Sequence, residues 1–285
     1  MRDLSNENVI HIKKDEIQYL QFRKLLEFKE IKHAYSLGTD WDFRTEKLNE
    51  KLPKEKVEKA LNNYKKLANS IGVTDVKIAK NGQAHTDNVQ IVKNIDSDFM
   101  RFEKTDGLIT DKTNIFLATS NADCILFMFY DPKLKVIANV HSGWKGTLQR
   151  IGAKAINKMI SEFNCDPKDI ICCICPSIRK CHFEVDKDVK DMFEKEFQDL
   201  KISQSTDLME KSQVKEKWRI DTVLINKILF KKIGLIDKNI IDSGLCSVCN
   251  SDLIHSFRVE KENYGLESAI ISRVYWYHFK ILFKP

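Results

Sequence analysis

The chain contains 285 residues, of which 42% are hydrophobic and 31% are charged. This composition is typical of a globular protein and excludes collagen-like, mucin-like and wholly disordered chains. The net charge of +6 is too small to indicate a nucleic-acid partner. No apolar stretch approaches the ~20 residues of a membrane span, and residues 1–13 lack the apolar core of a secretory signal. We therefore expect a cytoplasmic protein without nucleic-acid or membrane partners.

Helical and β-type patterns alternate along the chain. In chain order they predict a helix over 54–70, strands over 73–78, 89–92, 115–120, 125–130 and 136–140, a helix over 147–163 and a strand over 170–174. A helix over 185–200, a surface loop over 201–217, a helix capped by Asp221, and strands over 240–243, 253–259 and 268–274 follow. The run over 125–130 lacks alternation, which predicts a strand buried on both faces.

These elements predict an α/β (α+β) fold with mixed β-sheets flanked by helices. We assign residues 30–285 to a single catalytic domain and residues 1–29 to an N-terminal extension. The unperiodic residues 201–217 belong to the domain surface, since regular elements resume directly after them.

Three residues at the ends of predicted strands could bind a metal. His85 lies in a turn-like stretch, Cys124 precedes the strand over 125–130, and His141 ends the strand over 136–140. Such positions gather reactive groups in α/β enzymes. Two imidazoles and one thiolate would form a three-ligand zinc site with an open fourth position. Taken singly, each residue also fits a structural role, as a hydrogen-bonded histidine or a small core cysteine.

The segment HSGWKG at 141–146 is the second candidate feature. Gly143 and Gly146 would let a ligand approach the backbone, and Lys145 adds a positive charge suited to phosphate. A tight strand-to-helix turn stabilised by tryptophan packing explains the same residues equally well.

The eight cysteines, without a signal peptide, indicate thiols, metal ligands or catalytic groups rather than disulfides. Cys246 and Cys249 form a CxxC motif, which is half of a structural zinc site. The other half would be Cys175 and Cys181, but their spacing lies outside the usual range and argues against a zinc ribbon. The late position of the motif argues against a thioredoxin-like role.

Seven segments, in order and spacing, resemble one known family. They are QAH at 83–85, DGLIT at 106–110, NADCILFMFYDP at 121–132, ANVHSGWKGTL at 138–148, CPSIRKCHFEV at 175–185, GLCSVCNSDLIHSFR at 244–258 and ISR at 271–273. The family is known as the laccase-domain or multicopper polyphenol oxidase family, as peptidoglycan editing factor and as purine nucleoside phosphorylase. The resemblance covers roughly residues 30–275.

The resemblance implies a mixed-sheet α/β fold and a metal site built from His85, Cys124 and His141. The metal would be zinc, with copper as the alternative. The implied substrates are phosphate and a purine nucleoside, namely adenosine, inosine or methylthioadenosine, which yield a free base and ribose 1-phosphate. Adenosine deamination is a second implied activity, and copper-dependent polyphenol oxidation is an older attribution.

Roles for further residues follow from this chemistry. Deamination requires a carboxylate that moves protons, for which Asp123 and Glu184 are candidates. Phosphorolysis requires a cation that orients phosphate, for which Lys145 and Arg258 are candidates. A turn or cap for Asp123, a helix N-terminal charge for Glu184 and a surface ion pair for Arg258 are the structural alternatives.

The chain also departs from the family pattern. Gly38 stands about where the family has an arginine, which removes one anion contact. Lys145 and His182 stand where the family has an arginine and the second of two cysteines. Lysine keeps the charge but loses the bidentate geometry.

Three other functions compete with the phosphorylase. The seven histidines include no His-x-His pair, which argues against a true multicopper oxidase. A cysteine hydrolase would use Cys124 as the nucleophile and His141 as its base. A non-catalytic nucleoside-binding regulator would bind its ligand without turnover.

Overall fold

A computed structural model describes residues 2–45, 53–75 and 77–275. The strands are β1 (Val9–Lys14), β2 (Ile17–Phe22), β3 (Ile31–Leu37), β4 (Lys77–Gly82), β5 (Val89–Ile91), β6 (Phe99–Glu103), β7 (Gly107–Thr110), β8 (Ile115–Asn121), β9 (Ile125–Asp131), β10 (Val136–Ser142), β11 (Ile171–Ile174), β12 (Glu184–Asp186), β13 (Met209–Lys211), β14 (Lys217–Ile220), β15 (Ile240–Asp242) and β16 (Glu267–Arg273). The helices are α1 (Arg23–Leu26), α2 (Lys54–Ser70), α3 (Trp144–Leu148), α4 (Ile151–Phe163), α5 (Lys187–Glu196), α6 (Thr222–Ile233) and α7 (Phe257–Glu260).

The strands form three sheets. The largest has the order β1-β2-β3-β16-β8-β4-β6 and the second has the order β15-β11-β9-β10-β7-β5. Each combines antiparallel pairs with parallel ones, such as β4 with β8 and β11 with β15. The third sheet, β12-β14-β13, is antiparallel. The predicted α/β fold with mixed sheets is therefore confirmed.

The two large sheets pack face to face, as β9 illustrates. Leu126 and Met128 lie in the core between the sheets, whereas Phe127 and Phe129 lie in the core against α4 and α6. All four side chains are fully buried, which confirms the strand buried on both faces. On the outer face of the larger sheet a third core joins it to α2. The layers therefore run helix, sheet, sheet, helix, because each sheet has two apolar faces to cover.

The chain before residue 30 contributes two strands to the larger sheet. The hairpin β1–β2 pairs with β3, and Val9, Leu20 and Phe22 lie fully buried between the sheets. The domain boundary at residue 30 stays a prediction. None of the helices in the described ranges combines the length and apolarity that a membrane crossing requires.

The helix predicted over 147–163 is divided into α3 and α4. Arg150 interrupts it with a left-handed φ of 59°, and its side chain bonds to Glu196. Leu148 and Ile151 both pack against the same core, so the apolar periodicity could not reveal this break.

Other helix predictions are confirmed, with shifted ends in one case. The helix over 54–70 matches α2, and the Asp221 side chain accepts a hydrogen bond from the Leu224 amide at 2.8 Å as the predicted cap of α6. The helix predicted over 185–200 is shorter, since α5 covers Lys187–Glu196.

Three strand and loop predictions are wrong in detail. Residues 253–259 contain no strand, and their last three residues belong to α7. The Glu260 carboxylate accepts from the Ser256 amide at 2.8 Å, which favours a helical turn over the β-rich composition. The segment 201–217 is not only loop, since it includes β13, which pairs with β14. The strand predicted over 73–78 begins later, at Lys77.

Candidate active site

Three donor side chains converge where the two large sheets meet. His85 follows β4, Cys124 lies in the connection from β8 to β9, and His141 is the next-to-last residue of β10. One potential ligand atom of each lies within 4.8 Å of the others. The Cys124 Sγ is 3.8 Å from His85 Nε2, and the two imidazole centroids are 5.0 Å apart. The structure thus brings together the three residues named from the sequence.

Asp106 fixes the loop that carries His85. Its buried carboxylate accepts backbone amide hydrogens from Ala84 and His85 at 3.1 Å and from Thr86 at 2.8 Å. His85 has a left-handed φ of 57°, which costs free energy for a residue with a side chain. The three hydrogen bonds compensate for this strain and hold the imidazole beside Cys124.

Asp106 also orients the second histidine. His141 Nδ1 donates to Asp106 Oδ1 at 2.8 Å, and both side chains are buried. This bond leaves Nε2 as the free ligand atom, which is the arrangement commonly found behind metal-binding histidines. Asp106 opens the DGLIT segment, but no role was predicted for it from the sequence. Its position before a glycine and a buried strand was the available signal.

Gly143 allows the three donors to come close. A Cβ atom at this position would lie 2.8 Å from His85 Cδ2 and 3.1 Å from Cys124 Sγ. Both distances are shorter than ordinary van der Waals contact, so a larger residue would displace the site. The close backbone approach expected from the glycine therefore concerns the donors themselves.

Contacts within the site shift the pKa values of Cys124, His141 and Asp106. Burial opposes ionisation of Cys124, but His141 and then His85 outweigh it and lower the pKa of the thiol to about 6. Burial likewise opposes charge on His141, yet Cys124 and Asp106 raise the pKa of this histidine to about 9. The pKa of Asp106 falls to about 2, because the bond to His141 outweighs burial. The site thus favours a thiolate.

The donor set fits a zinc ion. One thiolate and two imidazoles are a familiar three-ligand combination, and Cu²⁺ also binds such N and S donors. His85 and Cys124 are only partly buried, so a substrate atom can reach the remaining side.

A buried lysine lies behind the His85 loop. Lys80 Nζ donates to Gln83 Oε1 at 2.9 Å, and the same oxygen accepts from the Ser120 amide at 2.9 Å. Burial lowers the pKa of Lys80 to about 7, although Asp106 acts in the opposite direction. Neither Lys80 nor Gln83 was assigned a role from the sequence, since a lysine in a short strand pattern reads as a surface residue.

The structure places Asp123 beside Cys124 in a network of loop contacts. Its carboxylate accepts from Ser247 Oγ at 2.5 Å, from Ser256 Oγ at 2.7 Å and from the Arg258 amide at 2.7 Å. Its φ of 86° is left-handed. These bonds favour the turn-organising alternative, and the proton-transfer role stays a prediction.

The remaining candidates lie on separate elements. Glu184 is in β12 and its carboxylate accepts from Ser212 Oγ. Lys145 is exposed in α3, with its ammonium 5.5 Å from the centroid of the Trp144 ring. Arg258 donates to the backbone oxygens of His182 and Glu184 at 3.0 and 3.3 Å. These contacts are hydrogen bonds to carbonyls and differ from the surface ion pair that was the structural alternative.

Comparison with known proteins settles the family. Residues 46–274 match the family described as "Multi-copper polyphenol oxidoreductase laccase". The chain belongs to this family. Its relatives include "Purine nucleoside phosphorylase YlmD" of Bacillus subtilis (strain 168), 31% identical over 59% of this chain and 58% of that protein. Another is "Purine nucleoside phosphorylase LACC1" of Mus musculus, 28% identical over 74% of this chain and 46% of that protein. The chain thus spans about half the length of these two relatives.

Solved structures share the fold of this family member. The "hypothetical protein YfiH" of Bacillus licheniformis superposes with a TM-score of 0.77 at 24% identity, covering 90% of this chain and 96% of that one. "YlmD from Geobacillus stearothermophilus" gives a TM-score of 0.76 at 19% identity, covering 96% and 100%. At these identities the likeness establishes the fold.

Proposed function

We propose that the protein is a zinc-dependent purine nucleoside phosphorylase with adenosine deaminase as a second activity. Its substrates would be phosphate and adenosine, inosine or methylthioadenosine, used in the cytoplasm. The observation that carries the proposal is the convergence of His85, Cys124 and His141 into one open, oriented donor set. The names of the two curated relatives support the substrate class.

His85, Cys124 and His141 would hold the metal. Zinc supplies a Lewis acid to the open side of this site. Asp106 keeps His141 in the tautomer that presents Nε2 and holds the His85 loop by three amide hydrogen bonds. Gly143 leaves the space in which the ligands meet.

Phosphorolysis forms a bond from a phosphate oxygen to the ribose C1′ and breaks the bond from C1′ to the purine nitrogen, which then takes a proton. Arg258 is the stronger of the two candidate phosphate ligands, because two backbone carbonyls fix its guanidinium. Lys145 is the second candidate, exposed on the helix that follows His141. A fixed cation loses little entropy when the anion binds.

Deamination adds water at the purine C6 and releases ammonia. It needs a group that carries a proton from the water to the leaving nitrogen. Asp123 and Glu184 keep this proposed role. Asp123 is adjacent to Cys124 in the chain, whereas Glu184 is linked to the site through Arg258.

The test is an assay of adenosine with and without phosphate on protein of known metal content. Adenine and ribose 1-phosphate should form only with phosphate, and inosine should form without it. His85→Ala and Cys124→Ser should abolish both and lose metal. Cys165→Ser is the matched control, since this buried cysteine lies in the core against α4, outside the donor set. Absence of product from every purine nucleoside would overturn the proposal.

A cysteine hydrolase is the second candidate, and one observation favours it. Cys124, His141 and Asp106 form a thiol, base and orienting carboxylate in series, and the pKa of Cys124 is lowered to about 6. A free nucleophile would be alkylated in the purified protein. A zinc-bound thiolate would be protected until a chelator removes the metal. Metal analysis of the same sample distinguishes zinc from copper.

A further inference from the structure

A second cluster of sulfur and nitrogen donors lies outside the candidate active site. It consists of Cys181, His182, Cys246 and Cys249, whose ligand atoms lie within 4.8 Å of one another. The Cys181 sulfur is 3.6 Å from that of Cys246 and 3.9 Å from that of Cys249. His182 Nδ1 is 3.2, 3.6 and 3.5 Å from the sulfurs of Cys181, Cys246 and Cys249 respectively.

These separations match the edges of a tetrahedron around zinc. Zn–S bonds of about 2.3 Å and Zn–N bonds of about 2.0 Å, at tetrahedral angles, place two sulfurs about 3.8 Å apart and a sulfur about 3.5 Å from a nitrogen. The observed sulfur separations fall on both sides of the first value, and the nitrogen separations are close to the second.

A disulfide explains the cluster less well. A disulfide requires an S–S distance of about 2.05 Å, and all the cysteines of the described chain are free. A disulfide would also join only two of the three sulfurs, and it would not explain why His182 Nδ1 lies close to all three. Four donors around one point are what a closed structural zinc site requires.

We propose that Cys181, His182, Cys246 and Cys249 form a structural zinc site distinct from the candidate active site. Cys175, which the sequence pattern paired with Cys181, lies fully buried in the core between the sheets instead. The partner of the CxxC motif is thus an adjacent Cys-His pair. Binding releases the three thiol protons and leaves a centre of net charge −1.

The surroundings of the cluster suit that charge and show what the metal would hold. Arg2 Nη1 donates to the Cys249 carbonyl at 3.4 Å, and Arg258 donates to the His182 carbonyl at 3.0 Å. The two loops that supply the ligands both contact Asp123, through the Ile178 amide at 2.8 Å and through Ser247. The zinc would therefore fix the loops that position Arg258 and Asp123.

Metal content measured by mass spectrometry tests the proposal without any enzyme assay. Reduced wild-type protein should hold two zinc ions per chain. Cys249→Ser and Cys181→Ser should each hold one, and both residues are exposed, so the fold should tolerate the change. His85→Ala should hold only the zinc of the Cys181, His182, Cys246 and Cys249 cluster. The double variant His85→Ala, Cys249→Ser should hold no zinc. The control Cys165→Ser should keep two.

Cobalt substitution and alkylation give a second readout. His85→Ala should bind Co²⁺ only at the second cluster, through three thiolates, and should show tetrahedral visible absorption. Cys249→Ser should bind Co²⁺ only at the candidate active site, through one thiolate. The thiolate charge-transfer absorption of His85→Ala should therefore be about three times as intense as that of Cys249→Ser. Cys181 and Cys249, although exposed, should resist iodoacetamide until chelator is added.

Three results would overturn the assignment. The first is a zinc content that is the same in Cys249→Ser as in the wild type. The second is rapid alkylation of Cys181 and Cys249 in the native reduced protein, and the third is a disulfide between two of the cluster cysteines. Failure of the phosphorylase proposal would instead show as absent turnover with both metal counts intact, so the two outcomes are distinguishable.

Discussion

Gly143 controls the space in which His85 and Cys124 approach each other. Its φ of −68° is open to any residue, so Gly143→Ala should fold, and its effect should come from the added Cβ alone. That atom would meet His85 Cδ2 at 2.8 Å. We expect a loss of metal from the active site, with a stability cost of about 1–3 kcal/mol from overpacking. Metal content and urea unfolding measure the two effects.

Gly146→Ala is the matched control for this substitution. Its Cβ would meet Ile151 Cγ2 at 3.2 Å and the Ser142 side chain, not the donors. This variant should keep its metal. Equal metal loss in both variants would contradict the steric role of Gly143.

Asp106 determines how firmly the two histidines are presented. Asp106→Asn preserves the shape of the side chain. It weakens the hydrogen bond from His141 Nδ1 and the hydrogen bonds that the amides of the His85 loop donate to this side chain. Removing such an outer carboxylate typically lowers metal affinity by about 10–100-fold. Competition with a chromophoric chelator measures this. Asp131→Asn, a buried aspartate that caps the turn after β9, should leave the affinity unchanged.

The donors could be predicted from the sequence, whereas their supports could not. His85, Cys124 and His141 are chemically distinctive residues at the ends of recognisable runs. Asp106 acts on them across a long sequence separation, through backbone amides that carry no sequence signal. Arg258 was named as a cation, but its two carbonyl partners become visible only in the fold.

Among the elements, α6 depends on its cap. Asp221 accepts from the Leu224 amide, whereas Asp186 precedes α5 without a side-chain capping bond. Asp221→Ala should therefore destabilise the protein by about 1 kcal/mol, and Asp186→Ala by less than about 0.5 kcal/mol, since the latter loses only an exposed pair with Lys217. Urea denaturation followed by circular dichroism compares them. Equal losses would show that the cap contributes nothing specific.

Helices and strands are predictable from the sequence where burial determines the apolar pattern. They are not predictable where a local hydrogen bond or a single backbone conformation determines the structure. The fully buried β9 and the amphipathic α2 match their predicted ranges within one residue. The short helix α7 was predicted as a strand, because composition does not reveal the bond from the Ser256 amide to Glu260. The left-handed conformation of Arg150 could not be predicted either, because one residue changes the direction of the chain without changing the apolar periodicity.

For the whole molecule, His33 should make stability depend on pH. It is fully buried in β3 and accepts the Phe22 amide hydrogen at Nε2 at 2.8 Å. Burial, together with Lys32, lowers the pKa of His33 from 6.5 to about 3. The unfolded chain therefore binds this proton first as the pH falls. The stabilisation is complete above pH 6.5 and is lost progressively toward pH 3.

His33→Gln tests this dependence, because glutamine can accept the same amide hydrogen but cannot be protonated. Between about pH 6.5 and pH 5 the wild type should lose about 2 kcal/mol of unfolding free energy that the variant does not lose. Chemical denaturation across this range measures it. His11→Gln, at a partly buried histidine, should retain most of the slope. Parallel pH profiles for wild type and His33→Gln would contradict the assignment.

The overall architecture was predictable as a class, but its layering was not. Buried strands and amphipathic helices predict mixed sheets with helices outside. Which strands share a sheet depends on pairings such as β3 with β16, whose partners lie at opposite ends of the chain. The role of the N-terminal hairpin was invisible for the same reason.

The arrangement of the donors across two sheets also bears on how the protein assembles. His85 follows β4 of the larger sheet, His141 lies in β10 of the other sheet, and Cys124 lies in the connection from β8 of the first sheet to β9 of the second. A partly folded chain with only one sheet formed would therefore lack a complete chelating set. The ion would be captured only after the two layers have packed together, and unfolding that separates the layers would release it. During unfolding, loss of metal and loss of tertiary structure should then occur as one cooperative event.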